Sequence, residues 1–378
     1  MKVSVLQENL AHGLSIVSRA VSSRSTLPVL SNILLATDEG RLRLSATNLE
    51  LGITCWIGAK IEEEGSTTVP SRTFSDLIGT LANEQVHLSL TVRTQSLNVR
   101  GGASNTTIKC IDAQEFPPMP AIDLQDGVQL NITDLKEMIL QVALAASTDD
   151  ARPVLTGVLV KVDGNKITLC AADGFRLSKK VAELPVSVSE PLNAIIPARA
   201  LSELARIATD GEDKVVMQIP SDRNQVIFTL KDVQLVSQLI EGTYPNVEQV
   251  IPQSFQTRTV VSTSALLKAC KQAEIFAREG NYIARLNIVP GASEMTPGKV
   301  EISGQSEETG HNQSDTGASI EGPALLIAFN VRFLREVLEV IKTPEVVLET
   351  TTSTNPGVVK PAGDTGFKHV IMPMHLGN

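Results

Sequence analysis

The chain repeats itself. Residues 25–51, STLPVLSNILLATDEGRLRLSATNLEL, run in register with residues 150–177, DARPVLTGVLVKVDGNKITLCAADGFRL. Pro28 answers to Pro153, Leu30 to Leu155, Asp38 to Asp163, Leu42 to Ile167, Leu44 to Leu169 and Ala46 to Ala171, always 125 residues apart and without a gap. Upstream the register still holds, with Leu10 on Leu135, Val17 on Val142 and Ala20 on Ala145. Chance identity does not keep one register over such a length, so the duplication is real.

A second block occurs three times. TTVPSRTFSDLIGTL (67–81), AIIPARALSELARIA (194–208) and IAFNVRFLREVLEVI (327–341) each set an arginine two residues past a strand end, with an amphipathic helix following. Arg72, Arg199 and Arg332 thereby occupy one equivalent position. A weaker third copy of the first block has TSALLKACKQAEIFA (263–277) as its helix and 286–310 as its strand pair.

Period-2 runs such as VHLSLTV and QVIFTL read as strands, and period-3.6 runs such as LSIVSRAV and LKEMILQVALAA as helices. Pro-bearing joints follow EFPPMPAIDLQDG and TYPNVEQVIPQSFQT. The expected architecture is α+β, with three similar domains in tandem over 1–124, 125–254 and 255–378. Two stretches, 289–299 and TTSTNPGVVKPAGDTG (351–366), read as enlarged loops.

The stretch LCAADGFRL (169–177) sits inside the repeat, with Asn48 where Asp173 stands. Asp-Gly is a strong turn dipeptide, so its first duty is to the fold. Glu62-Glu63-Glu64 before Gly65 reads as a solvated turn. Asp149-Asp150 reads as an ordinary helix-end pair, although a paired acid/base or metal site is the alternative.

Catalytic signatures are missing. GASEMTPGK ends in Gly-Lys, but its glycines are too far apart and Val300 replaces the hydroxyl a phosphate loop needs. The five histidines have no metal-ligand spacing, and no GxSxG elbow is present. Four scattered cysteines without CxxC fit a reduced compartment, and no leader or membrane-length apolar run is seen, so a cytoplasmic location is expected. The net charge of −9 argues against a protein that coats nucleic acid, but not against one whose cations share a single face.

The repeat, the three arginines, TLPVLSNILL, AADGFRLS and the closing HVIMPMHL together resemble the bacterial DNA polymerase III beta subunits, the β sliding clamps, over essentially the whole chain. The resemblance implies a DNA clamp fold. Each domain would lay two helices on curved antiparallel sheets, and two subunits would join head to tail in a ring around double-stranded DNA. It implies a processivity factor with no catalytic residues, no metal and no cofactor.

Phosphate contacts would come from Arg19, Arg24, Arg72, Lys136, Arg199, Arg206, Lys268, Lys271, Arg278, Arg332 and Arg335. A peptide pocket would be lined by Arg152, Leu155, Ala172, Gly174, Phe175, Arg176, Leu177, Pro245, Val250, Val370, Met372, Pro373 and Met374. The homodimer seam would use Ile108, Ile275 and Phe276. Implied partners are the replicative DNA polymerase catalytic subunit, the clamp loader, repair polymerases, ligase and mismatch-repair proteins, with no membrane.

The chain departs from its relatives at Pro153-Val154, where some carry tyrosines, at Gln249, at His375 and in the Gly377-Asn378 extension. Two other readings stay open on the residues alone. One is an interaction scaffold that never encircles DNA; the other is an inter-domain enzyme using Asp149, Asp150 and Asp173.

Overall fold

The computed structural model describes residues 1–22, 26–119, 127–208, 214–220, 224–293, 296–363 and 366–375. Six α-helices are described: α1 Gln7–Val17, α2 Ser71–Thr80, α3 Ile132–Val142, α4 Ala198–Ile207, α5 Thr263–Ala277 and α6 Val331–Val340. The repeat seen in the letters is also in the backbone. α1 and α3 are displaced by the same 125 residues, as are the 3-10 turns Ser18–Ala20 and Ala143–Ala145, and Pro28–Ser31 and Pro153–Thr156.

The second block keeps its own register. The strands before α2, α4 and α6 end at Pro70, Pro197 and Asn330, so Arg72, Arg199 and Arg332 each fall on the second helical residue. α6 shows why such a segment is helical. Val331, Leu334, Val337 and Leu338 line its buried face at helical spacing. The Asn330 side chain caps its start, accepting hydrogen bonds from the Arg332 and Phe333 amides at 3.0 and 3.4 Å.

Between their two helices the first and third copies carry four strands each. In the second copy two long strands, Gly157–Ala172 and Arg176–Pro197, take that place. They pair antiparallel, with irregularities around Gly164 where the short strands of the other copies would break.

Two compact units emerge, residues 1–133 with 203–239, and residues 134–202 with 240–378. Each contains one antiparallel sheet in which strands of two copies pair directly. In the first unit, Val233–Gln238 of the central copy joins Leu51–Glu63 of the first, with Val233 opposite Cys55 and Ser237 opposite Leu51. In the second unit, Phe367–Ile371 of the third copy joins Arg176–Pro197 of the central one, from Arg176 opposite Ile371 to Lys180 opposite Phe367. The third copy's core is mostly aliphatic, packing α5 residues Leu266, Ala269 and Ala273 and α6 residues Leu334 and Leu338 on Leu286, Ile302, Ile327 and Val346, with Phe329 and Phe367 buried among them.

Three sequence expectations need correction. Glu62 and Glu63 are not in a turn but close the strand Leu51–Glu63, where Lys2 pairs with Glu62 at 3.0 Å. Cross-strand pairing with Lys2–Leu6 draws the strand past the charge run. The stretch 351–366 is not one loop, since it holds the strand Gly357–Pro361 between neighbours Glu345–Thr350 and Phe367–Ile371. Its Val358-Val359 pair, both side chains buried, is too short a pattern to stand out among threonines and glycines. In 289–299 the strands reach Val289 and resume at Gly298, leaving only 290–297 as a connection.

Candidate functional site

The Asp-Gly stretch is a hairpin turn between the two long strands of the central copy. Asp173 Oδ1 accepts hydrogen bonds from the Phe175 and Arg176 amides at 2.8 and 2.9 Å. Gly174 takes φ +96°, a left-handed conformation that suits glycine. The first copy builds the same turn with Asn48, whose Oδ1 accepts from the Glu50 and Leu51 amides at 3.0 and 2.7 Å. There Leu49 stands in the glycine position at φ 77°. Side-chain capping of this kind is what Asp and Asn do in turns.

The turn borders an apolar cluster. Leu159, Cys170, Leu177, Ile195, Tyr244, Val247, Ile251, Val358 and Val370 are buried together, with Val154, Leu155, Ala172 and Ile240 packed against them. Four of the pocket residues read from the sequence, Leu155, Ala172, Leu177 and Val370, are therefore in one place. The rim is apolar and exposed: Phe175, Val250 and Met372 present 58%, 44% and 37% of their surface to solvent. Gly174 and Pro245 are exposed beside them, while Pro373 and Met374 are half-buried. The C-terminal segment is tied in by its backbone, the Met372 amide donating to Phe175 O and the Met374 amide to Ala328 O, each at 2.8 Å.

Arginines frame this cleft differently. Arg152 is exposed, reaching Asp149 at 3.2 Å and donating from Nη1 to the Asp173 carbonyl at 3.1 Å. Arg176 is largely buried. Its Nε meets Asp173 at 3.1 Å, its Nη1 meets Glu336 at 2.5 Å, and its guanidinium lies 4.1 Å over the Phe333 ring. Burial works to raise the Glu336 pKa, but hydrogen bonds and charge from Arg176 and Arg332 outweigh it and hold the carboxyl below its usual range.

Sequence reasoning missed Tyr244, Val154, Ile240, Val247, Ile251, Val358, Phe333 and Glu336. Tyr244 Oη accepts the Ala172 amide hydrogen at 3.0 Å, and burial is the main reason its phenol pKa is raised. The tyrosine in TYPNV is one of two in the chain. No local signal marks Glu336. Beneath the cleft, His369 is fully buried, its Nδ1 2.6 Å from Ser178 Oγ. Burial, and secondarily Arg176, pushes its pKa down to about 3, so it is neutral.

The carboxylates weighed as a catalytic set serve turns instead. Asp149 accepts from the Ala151 amide at 3.0 Å and pairs with Arg152, while Asp173 is committed to its own hairpin and Arg176. Asp150 is exposed. Among the described residues no group of three His, Cys, Asp or Glu side chains is placed to hold a metal. Burial raises the Cys170 thiol to about 12, which makes it a packing group.

Of the cationic residues read from the sequence, Arg24 lies outside the described residues. Arg72, 95% exposed, is 3.8 Å from Asp76. Arg19 and Arg206 share Glu203 at 3.1 and 2.7 Å, and Lys271 reaches Glu339 at 3.0 Å. Arg332 pairs with Glu336 at 2.9 Å, and Arg335 is held by Glu274 and Glu339 at 2.6 and 2.9 Å. Arg199, Lys268 and Arg278 are exposed, and Lys136 is half-buried on α3. For the seam, Ile108 is already buried within its own sheet, Ile275 is 60% exposed and Phe276 is half-buried.

Repeated helix pairs on sheets that run from one copy into the next, with an apolar cleft at one such joint, define a tandem-domain clamp architecture. Family models described as the N-terminal, central and C-terminal domains of the DNA polymerase III beta subunit match residues 1–120, 129–246 and 248–375. The beta sliding clamp of Synechococcus elongatus is 32% identical over 380 residues, covering all of both chains. That of Staphylococcus aureus is 30% identical over 383 residues, 99% of each. The solved DNA polymerase sliding clamp from Bacillus subtilis superposes with a TM-score of 0.91 at 29% identity, covering all of both chains. The chain belongs to the DNA polymerase III beta subunit family, the sliding clamps.

Proposed function

We propose that this chain is a DNA sliding clamp: two copies close head to tail around duplex DNA and tether the replicative polymerase through the cleft beside Asp173. The observation that carries the reading is that clamp relatives match the chain from end to end while it presents an apolar cleft with an exposed aliphatic and aromatic rim. Such a protein raises rate by topology. A tethered polymerase re-engages at high effective concentration, and no clamp residue performs chemistry.

The peptide set named from the sequence is supported by its convergence. Phe175, Val250 and Met372 offer anchors on the rim, and Leu155 and Leu177 offer a floor. Methionine adapts to several partners, so the clamp loader, repair polymerases, ligase and mismatch-repair proteins are expected to compete for one site.

For DNA, the three arginines at the second position of α2, α4 and α6 are informative. A cation there opposes the helix dipole, so its threefold use calls for a reason beyond helix stability. An arginine at a helix start, where the dipole favours an anion, is a good phosphate ligand, and contacts of this kind are sequence-independent and salt-sensitive.

Three domains near 1–124, 125–254 and 255–378, acting in the cytoplasm, complete the reading. No helix among the described residues is long and apolar enough to cross a membrane. Two sheet edges suit the seam between copies. Among the described residues the strand Ser104–Lys109, carrying Ile108, pairs only with Ser96–Gly101, and Gly310–Glu321 pairs on its second side only through Ala318–Glu321. Ser314 on that second edge donates to Gln272 of α5 at 2.8 Å, which sets Ile275 and Phe276 close by. Edge-to-edge strand pairing joins such surfaces.

The test is to load the protein with its clamp loader and ATP onto nicked circular DNA, cut the circle, and follow retention by gel filtration. Retention on circles in high salt with loss from linear ends is expected. Salt-labile binding indifferent to DNA ends, with the loader active on a known clamp, overturns the ring.

A further inference from the structure

Arg176 in the cleft wall and Arg332 on α6 share one carboxylate. Glu336 lies one helical turn beyond Arg332; its Oε1 accepts from Arg332 Nε at 2.9 Å and its Oε2 from Arg176 Nη1 at 2.5 Å. The two arginines differ in access. The Arg176 side chain is 10% exposed and the Arg332 side chain 52%.

We propose that Glu336 is a positioning residue that couples the two faces: phosphate engagement of Arg332 releases the carboxylate to Arg176, fixing the cleft wall so that duplex DNA and docking peptide bind with positive cooperativity. This inference rests on the reading that Arg332 meets DNA and that the cleft takes a peptide.

Three features support it. First, α6 supplies both Glu336 and the Phe333 face on which the Arg176 guanidinium stacks. A planar cation held by a carboxylate and a ring has one orientation. Second, Arg335, which also meets this carboxylate, holds it only at long range. Arg335 stands 3.8 Å from Glu336 and is already bound to Glu274 and Glu339. Third, Glu336 stays ionised at neutral pH, because its arginine partners outweigh the effect of burial. Arg332 and Arg176 repel each other across the shared anion, so drawing the exposed cation towards a phosphate relieves that repulsion and frees the carboxylate to close on the buried one. Linkage makes the effect reciprocal, so an occupied cleft must also favour DNA.

The experiment titrates a fluorescein-labelled synthetic peptide carrying leucine and phenylalanine anchors into the full chain, with and without excess short blunt duplex at low salt. DNA should tighten peptide binding by about 5-fold, the lower end of ordinary coupling. Arg332→Ala should bind peptide more tightly without DNA and lose the response. Glu336→Gln should lose the response as well, whereas Glu336→Asp should keep part of it. Equal peptide affinity with and without bound DNA overturns the coupling.

A second readout needs no peptide. In a Trp56→Phe/Phe333→Trp chain the one remaining tryptophan lies under Arg176, and its emission should change on adding duplex and stay constant when Glu336→Gln is added. A wild-type chain that binds DNA but no peptide defeats the reading of the cleft and leaves this signal to decide; an emission indifferent to bound DNA overturns the coupling. A chain that binds no duplex refutes both the DNA reading and this inference.

Discussion

Tyr244 holds the Ala172 backbone: its phenol oxygen accepts the amide hydrogen at 3.0 Å, joining the loop after the central copy to the last residue before the Asp173 turn. Both residues belong to the apolar cluster under the cleft, so one hydrogen bond fixes the distance between two walls. Tyr244→Phe keeps the ring and strands a part-buried amide. It is expected to lower stability by about 1–2 kcal/mol, the usual cost of an unsatisfied donor, and to weaken docking peptides, as read by chemical denaturation and fluorescence anisotropy.

Asp173 separates turn from charge. Asp173→Asn should keep the hairpin, since Asn48 caps the equivalent turn in the first copy. Asp173→Ala should cost about 1 kcal/mol more, a typical value for losing a side-chain cap. Equal denaturation midpoints for the two variants would contradict this account.

Leu49 occupies the left-handed position that glycine fills in the central copy, and its side chain is 52% exposed. Leu49→Gly removes that backbone cost at little loss of packing, offset in part by a more flexible unfolded chain. A gain of up to about 1 kcal/mol is expected. Thermal unfolding monitored by circular dichroism measures it.

His369 gives the protein a pH dependence of definite sign. Its folded pKa is pushed down to about 3, while an unfolded histidine titrates near the model value of 6.5. Between those values the unfolded state binds the extra proton, so stability falls as pH drops through that window and is level above it. At pH 5.5 the loss is about 1.4 kcal/mol relative to pH 8. His369→Asn should remove this slope, and a wild-type midpoint flat from pH 8 to 5.5 would refute it.

Much of this molecule is written locally. α1 and α3 start and stop 125 residues apart because the same apolar spacing is repeated, and Arg72, Arg199 and Arg332 sit where one block recurs. The Asp173 turn is legible for the same reason, since its hydrogen bonds close within three residues. What escaped is what only folding brings together. Glu336 is 160 residues from Arg176, and Ser178 lies 191 from His369. Arg335, one of the cations read as a phosphate contact, packs among three carboxylates, because helix periodicity does not say which neighbour fills the next groove. The buried Val358-Val359 pair shows the opposite difficulty, a strand too brief to outweigh its turn-rich surroundings.

The ladders that carry each sheet from one copy into the next have a mechanical meaning. Prying Val233–Gln238 from Leu51–Glu63, or Phe367–Ile371 from Arg176–Pro197, means shearing a row of backbone hydrogen bonds together. Those rows are continuous with the strands that form the cores, so each joint yields only when the sheet itself yields. A machine that must be opened and shut around its track without being ruined is better parted where separate molecules touch. In the proposed ring, covalent continuity and shared strands thus leave the boundary between the two molecules as the gate, and the rest of each chain as its frame.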